Sequence, residues 1–363
     1  MRILFLANND VGLYRFRQEL LAELLKDHEV FIALPDGEFI PKLQEMGCQY
    51  IPFEFNRHGL NPLADLWQIH RYRKLLRQLR PQVVLTYTIK PNVYGGIACQ
   101  KEHIPYIANV TGLGTAIENG GVLAGLSLAL YRRGLKGATK IFFQNSANWQ
   151  FFLDQQVVCL ANTQLLSGSG VNLEAFVTQP YPPEAKGIRF LFVGRIMRDK
   201  GIGELLQAII RLHSTNPQIT LDIVGGYDES AWVERVHEAA AAGAVCYHGQ
   251  QSDVRPFYQN CHCVVLPSYH EGMANVLLEA SATARPVIAT RVPGCQETFD
   301  EGVSGFGCEA KNSDSLLSAM QKFLSLSHEQ RAAMGNAART KVAREFDRRM
   351  VVREYLAAIE ATK

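Results

Sequence analysis

Two carboxylates eight positions apart, Glu271 and Glu279, stand in the stretch His270-Glu-Gly-Met-Ala-Asn-Val-Leu-Leu-Glu279, shortly after the apolar run Cys263–Pro267. An apolar run closed by Pro267 and Ser268 reads as a buried parallel strand, and Val276, Leu277, Leu278 and Ala280 onward read as a helix. The stretch is therefore a strand, a loop and a helix start. Beyond the carboxyl ends of strands in an open α/β sheet, helix N-termini offer unpaired N–H groups and a positive dipole end to anions. Glu271 would stand in the loop beside a ligand, and Glu279, about two turns into the helix, would reach a more distant part of the same molecule. That arrangement suits an extended polyol gripped at both ends. Solvated surface glutamates are the plainer reading of any such pair. Here Gly272 lets backbone approach a ligand, and Glu279 among Leu277, Leu278, Ala280 and Ala282 is a carboxylate in apolar company that needs a partner.

A second constellation lies in Gly194-Arg-Ile-Met-Arg-Asp-Lys-Gly201, at the end of the apolar run Arg189–Val193. Arg195 brings a planar fork suited to bidentate phosphate contact, Lys200 a mobile point charge, and the following helix start adds amides. Together they are equipment for a diphosphate; two solvated cations on a loop are the alternative. Near the start of the chain, Asn8-Asn-Asp-Val-Gly12 joins a strand to a helix, and Gly12 would let backbone approach a phosphate or sugar. This loop lacks the GxGxxG of dinucleotide sites, and Leu34 and Pro35 stand where such sites carry an acidic residue after the second strand.

The elements that must hold these residues follow a βαβα rhythm. Strands are predicted at Ile3–Ala7, Glu29–Leu34, Gln49–Phe53, Val83–Tyr87, Tyr106–Val110, Lys140–Gln144 and Leu165–Gly168, with helices including Leu13–Lys26 and Asn61–Arg80 between them. Val171–Gly187, with Pro180, Pro182 and Pro183 and no periodicity, reads as a linker. The rhythm then restarts with strands at Arg189–Val193, Ile219–Val224, Val245–His248, Cys263–Pro267 and Pro286–Thr290. The expected architecture is α/β, with two Rossmann-like, doubly wound parallel-sheet domains facing across a cleft. Residues 1–173 form the first domain, 174–186 the linker and 187–345 the second domain, while 346–363 form a helix returning to the first.

The 363 residues, 47% hydrophobic and 20% charged, suit two soluble domains, and a formal net charge of +2 does not call for nucleic acid. The charge is uneven: from Arg57 to Lys140, basic residues far outnumber Asp65, Glu102 and Glu118. The eight cysteines show no paired CxxC spacing and read as reduced thiols, mostly buried. Met1–Leu6 lacks the length and cleavage site of a signal peptide, and the longest apolar run, Gly120–Tyr131, falls short of the ~20 residues of a membrane span. A cytoplasmic protein is expected.

The Gly194-Arg195…Lys200-Gly201 turn, the Glu271…Glu279 pair, Gly168-Ser-Gly-Val-Asn172 and the tandem layout together resemble the retaining nucleotide-sugar glycosyltransferases of the GT-B fold, family 4, over essentially the whole chain. Thr88-Ile-Lys-Pro-Asn92 and Asn109-Val-Thr-Gly-Leu-Gly114 resemble its bacterial branch for capsule, O-antigen and lipid-linked oligosaccharide. The resemblance implies that Arg195 and Lys200 bind the donor diphosphate, Glu279 the ribose, and Glu271 a hydroxyl of the donor sugar. Gly12, Gly194 and the backbone of Gly272, Met273, Ala274 and Asn275 complete the donor site. Glu271, Arg195 and Lys200 would be the catalytic set, with Asn9, Lys90, Asn92, Thr111 and Gly112 on the acceptor side. No cofactor beyond a UDP-sugar donor is implied, and no metal, since Asp-x-Asp is absent and the cations can do the charge work. Two positions depart from the family pattern. Thr111–Gly114 occupies the place of a frequent histidine, and Ala274 that of a usual proline.

The implied reaction moves a hexose or N-acetylhexosamine from a UDP-sugar to a polyprenyl-diphosphate-linked sugar. A nucleotide-sugar 2-epimerase and a non-catalytic sugar-nucleotide binding protein are the rival readings. An apolar stripe of Leu123, Leu126, Leu130 and Tyr131 beside Arg132, Arg133, Lys136 and Lys140, with the basic helix at Arg71–Arg80, suggests peripheral contact with the anionic inner leaflet. A core-facing helix with a solvated basic end is the alternative.

Overall fold

The computed structural model describes residues 1–54, 62–114, 117 and 120–362. Arg57, Asn61 and Glu118 lie outside the described residues. The chain forms two units, Met1–Ser169 with Arg348–Lys363, and Gly170–Asp347.

In the first unit, strands β1 (Arg2–Leu6), β2 (Glu29–Leu34), β3 (Gln49–Pro52), β4 (Val83–Tyr87), β5 (Tyr106–Val110), β6 (Lys140–Phe143) and β7 (Thr163–Leu165) make a sheet of order β3-β2-β1-β4-β5-β6-β7. Every pairing is parallel. Alternate side chains serve opposite faces, which is why the central strands are mostly apolar along their length. Leu4 and Leu6 pack with Tyr72, Leu76 and Val93, while Ile3 and Phe5 pack with Leu20, Leu21 and Val351. Val351 belongs to the C-terminal helix Arg348–Glu360, whose Arg348 Nη1 lies 2.9 Å from both carboxylate oxygens of Glu19 and whose Tyr355 hydroxyl donates to Asn109 Oδ1.

The second unit contains β8 (Ile188–Val193), β9 (Ile219–Val224), β10 (Val245–Tyr247), β11 (Cys263–Leu266), β12 (Val287–Thr290) and β13 (Gly305–Cys308), all parallel, in the order β10-β9-β8-β11-β12-β13. The predicted doubly wound parallel sheets are present in both units. In each, strand order reverses once, between β1 and β4 and between β8 and β11. Such a reversal splays the flanking loops apart and leaves room for a ligand.

The proline-rich stretch after Val171 reads as a tether but is held along its length against the second unit. Fully buried Arg285 donates to the carbonyls of Gln179 (3.2 Å) and Pro180 (2.7 Å), and also to those of Tyr258, Gln259, Thr283 and Ala284. Arg339 donates to Phe176 O at 2.9 Å, and Arg331 pairs with Glu184 at 2.7 Å. A desolvated guanidinium is tolerated only when its donors are satisfied, and six carbonyls satisfy this one. Burial also lowers its pKa.

The basic and apolar surface features differ in part from their sequence reading. Tyr131 is buried edge-on to Phe152 at 5.0 Å, so it is core rather than part of an exposed stripe. Leu66 is exposed, and Tyr72 and Leu76 take the buried face of Pro62–Leu79. Arg73 and Arg77 both pair with Glu102, at 2.6 and 2.8 Å, and Arg132 donates to the carbonyls of Gln155 and Gln156. All eight cysteines are free, Cys159 and Cys246 being the exposed ones. Among the described residues no helix is long and apolar enough to cross a membrane.

Candidate functional site

The chemistry-bearing residues of the second unit gather on the two loops at its strand-order reversal. After β8 the chain passes Gly194 and Arg195 and enters a short 3-10 turn, Arg198–Lys200, which Gly201 ends in the left-handed region at φ 68°. A Cβ at Gly201 would lie 2.1 Å from Pro267 O, so only glycine lets this turn pack on the loop after β11. Tyr269 N donates to Asp199 O at 2.9 Å, and the Tyr269 hydroxyl donates to Glu204 at 2.7 Å, which fastens the two loops together.

Lys200 Nζ donates to Glu271 Oε1 across this junction, and Ser268 Oγ donates to the same oxygen at 2.8 Å. The Lys200 and Glu271 side chains are only 20% and 15% exposed, so the two charges meet largely out of water. Arg195 pairs with Asp228 at 2.9 Å, but those side chains are 64% and 44% exposed. Water screens that pair, which is worth at most ~1 kcal/mol. Displacing Asp228 from Arg195 would therefore cost an incoming anion little, whereas displacing Glu271 from Lys200, where both side chains are largely out of water, would cost more.

Glu279 sits within the helix Asn275–Ala282 and accepts from the Tyr258 hydroxyl at 2.8 Å, the partner its apolar neighbourhood requires. Gly294 (φ 84°) presses on the Glu271 loop from the other side: a Cβ there would lie 2.5 Å from Glu271 O. Ala274 N donates to Gly294 O at 2.8 Å, and Asn275 N donates to Met273 O. Those two amides are thus committed to the loop's own structure, which departs from the expectation that they hold a ligand. The Met273 side chain is buried with Leu278 and Val342. Gly194 N donates to Val224 O, so Gly194 positions Arg195 rather than offering its own amide.

In the first unit, Asn9 caps the helix Asp10–Leu24 by accepting from Gly12 N at 2.7 Å. The Gly12 amide, expected to approach a phosphate, is thereby used in the cap. Asn92, expected on the acceptor side, is fully buried: it accepts from Thr86 Oγ1 and donates to Asn109 O, both at 2.7 Å. A side chain with both ends engaged in the core does not contact a ligand, so Asn92 is a strut of the fold. Lys90 stands at the entrance to the π-helical turn Pro91–Gly95, half-buried. Thr111 and Gly112 follow β5, half-buried, and a Cβ at Gly112 would meet nothing within 4 Å. Two residues before Lys90, Thr88 has φ 72°, an uncommon conformation for a β-branched residue, and its hydroxyl is buried without a partner.

The sequence analysis gives Asp228, Ser268, Tyr258 and Gly294 no place in the site, because Asp228, Tyr258 and Gly294 reach their partners only through the packing of segments distant in the chain, and Ser268 only through the turn of the loop it shares with Glu271. For a metal, the donor atoms of Asp222, Cys246 and His248 lie within 4.8 Å of one another. Asp222 already accepts from His248 at 2.7 Å and pairs with Arg189 at 3.4 Å, so that carboxylate is compensated without an ion.

Comparison with known proteins gives one consistent result. Residues 2–145 match the glycosyl transferase 4-like family and residues 174–341 the glycosyl transferases group 1 family. The chain is 29% identical to the N,N'-diacetylbacillosaminyl-diphospho-undecaprenol alpha-1,3-N-acetylgalactosaminyltransferase of Campylobacter jejuni subsp. jejuni serotype O:2, over 98% of this chain and 97% of that one. It is 28% identical to the capsular polysaccharide biosynthesis glycosyltransferase CapM of Staphylococcus aureus, over 52% of each. Among solved structures, Anabaena HepE in complex with UDP and glucose aligns with a TM-score of 0.83 at 19% identity, covering 99% of this chain and 100% of that one. Sucrose-phosphate synthase from Thermosynechococcus elongatus aligns at 0.80 and 21%, covering 99% and 98%. At these identities the structural likeness speaks to the fold, which is GT-B.

Proposed function

We propose that this chain, which belongs to the glycosyl transferase group 1 and 4-like glycosyltransferases of the GT-B fold, moves a sugar from a UDP-sugar to a lipid-diphosphate-linked sugar, with retention at the anomeric carbon. The observation that carries the reading is the Lys200–Glu271 pair beside solvent-exposed Arg195 at the β8/β11 reversal. Departure of a nucleoside diphosphate develops negative charge, and cations already fixed on a packed loop stabilise it most in the transition state. Arg195 engages the diphosphate first, at little cost. Lys200 exchanges Glu271 for a phosphate oxygen, and Glu271 then accepts from a hydroxyl of the donor sugar. Glu279, oriented by Tyr258, accepts from the ribose. The leaving phosphate takes the acceptor proton, so no second carboxylate and no metal is required.

Three facts support the choice of substrates. The full-length Campylobacter relative is named for transfer of N-acetylgalactosamine to an undecaprenol-diphosphate-linked sugar, CapM for capsule synthesis, and the HepE structure holds UDP and glucose. A panel of UDP- and GDP-sugars tests the donor by thermal shift, since a ligand at ~100 times its Kd adds about 2.7 kcal/mol. Transfer to a polyprenyl-diphosphate-linked acceptor then tests the reaction. Stabilisation by GDP-sugars alone removes the UDP assignment. Conversion of donor without acceptor makes the chain an epimerase, and tight binding without turnover makes it a binding protein.

The reading extends to peripheral membrane attachment through the first unit. The helix Gly121–Leu135 holds Val122 90% exposed, with Leu123 and Leu126 also exposed, and carries Arg133 and Lys136 at its end; Trp67 is 60% exposed on Pro62–Leu79. Apolar and basic groups presented together suit an anionic bilayer surface, each cation adding ~1 kcal/mol. Equal recovery with and without anionic liposomes in low-salt flotation removes this part.

A further inference from the structure

Ser268 is fully buried directly after β11, in a position neither charged nor part of any motif that carries the function. Its hydroxyl donates to Glu271 Oε1 at 2.8 Å, the oxygen that also receives Lys200 Nζ. Its carbonyl accepts from Thr290 Oγ1 at the end of β12, itself fully buried. Ser268 therefore ties the carboxylate to the rigid ends of two adjacent strands, whereas Lys200 ties it to a loop.

Those two donors respond differently to an anion. Lys200 is a flexible cation whose ammonium can turn to a phosphate oxygen. Ser268 is neutral, short and enclosed, so a diphosphate neither attracts nor displaces it. When Lys200 leaves, Glu271 loses a strong contact at the moment its orientation has to be kept, and the Ser268 hydroxyl remains on the same oxygen. A carboxylate with one fixed donor keeps its direction, and placement within a few tenths of an ångström is what positional catalysis depends on.

We propose that Ser268 is a positioning residue, which holds Glu271 toward the donor sugar while Lys200 is transferred from that carboxylate to the diphosphate. This rests on the donor reading above. The effect belongs to sugar transfer and not to nucleotide binding, because the diphosphate contacts of Lys200 and Arg195 do not pass through Ser268.

The test is a double-mutant cycle of Ser268→Ala and Glu271→Gln, read as kcat for transfer, with the thermal shift by UDP measured on each variant. Ser268→Ala is expected to lower kcat about tenfold, the size of a lost charge-assisted hydrogen bond, with the UDP shift retained. In the Glu271→Gln background it is expected to add almost nothing. Multiplicative effects, or a UDP shift lost in step with kcat, overturn the proposal. Ser268→Cys, close in volume and a weaker donor, replaces Ser268→Ala if the alanine variant does not fold, with the same criteria. A wild-type chain that binds UDP-sugars but transfers none refutes the donor reading itself, whereas independent effects in an active enzyme refute only the assignment of Ser268.

Discussion

The two strand-order reversals use their polar residues in opposite ways. At β1/β4, Asn9 closes a helix cap and Asn92 joins Thr86 to Asn109, so amides that look available in the sequence are spent inside the fold. At β8/β11, Arg195, Lys200 and Glu271 are held in ion pairs, one exposed and one half-buried, which the proposed diphosphate would take over. A neutral amide in a core must be fully satisfied and is then inert. A charge pair at a surface loop is compensated and still exchangeable. The difference is between residues that fix a binding surface and residues that change partner on it.

The contrast is broken most directly by Lys200→Ala, expected to lower kcat/KM about a hundredfold, the upper range for a charged contact, because it also takes the paired cation from half-buried Glu271. A loss under threefold would mean that the pair is structural, like its counterparts around Asn92. Next in size is Asn92→Ala, which strips partners from Thr86 Oγ1 and Asn109 O and should cost about 2 kcal/mol of stability in urea unfolding. Donor and acceptor KM should stay unchanged in the folded fraction; a selective rise in acceptor KM would return Asn92 to the site. Arg195→Ala should lower kcat/KM only about tenfold, since the Asp228 pair it abandons is already screened. An effect exceeding that of Lys200→Ala would reverse the order in which the two cations are held to engage.

The smallest effect should come from a titrating group outside both reversals. Burial holds the His262 imidazole below its ordinary value of 6.5, and its Nδ1 accepts from Arg189 N at 3.0 Å. The folded protein then keeps the ring neutral where the unfolded chain takes up a proton. Stability is complete above 6.5, declines as pH falls below it, and levels off beneath the lowered folded value. Urea midpoints of wild type and His262→Gln at pH 7.5 and 5.5 should differ in slope, with the shallower dependence in the variant. Equal slopes would place the ring in water.

Continuous apolar runs gave away most of the sheets. β2, β4, β5 and β9 occupy the residues that their apolar runs indicate, because a strand buried on both faces is mostly apolar, with Thr86, Asn109 and Asp222 as buried polar exceptions. β13 does not read as a strand, since Gly305 and Gly307 lower the propensity. They are there because a Cβ at Gly305 would lie 2.4 Å from Val287 O. In the site, the charged residues were legible as types at strand ends. Their partners were not, since Asp228 meets Arg195 only through the packing of separate loops, and Ser268 meets Glu271 only through the turn of the loop they share. Asn92 and Gly12 show the limit in the other direction: a side-chain amide or a backbone amide near a strand end carries no mark in sequence of whether its hydrogen bonds point inward.

Arg285 sets where the second unit can be cut. Its guanidinium reaches back 106 residues to Gln179 and 105 to Pro180, so a fragment begun at β8 would enclose a cation with two of its acceptors removed. The lower limit of an independently folding piece is thus written by a buried arginine more than a hundred residues further along it, and the prolines ahead of β8 travel with it as its first layer.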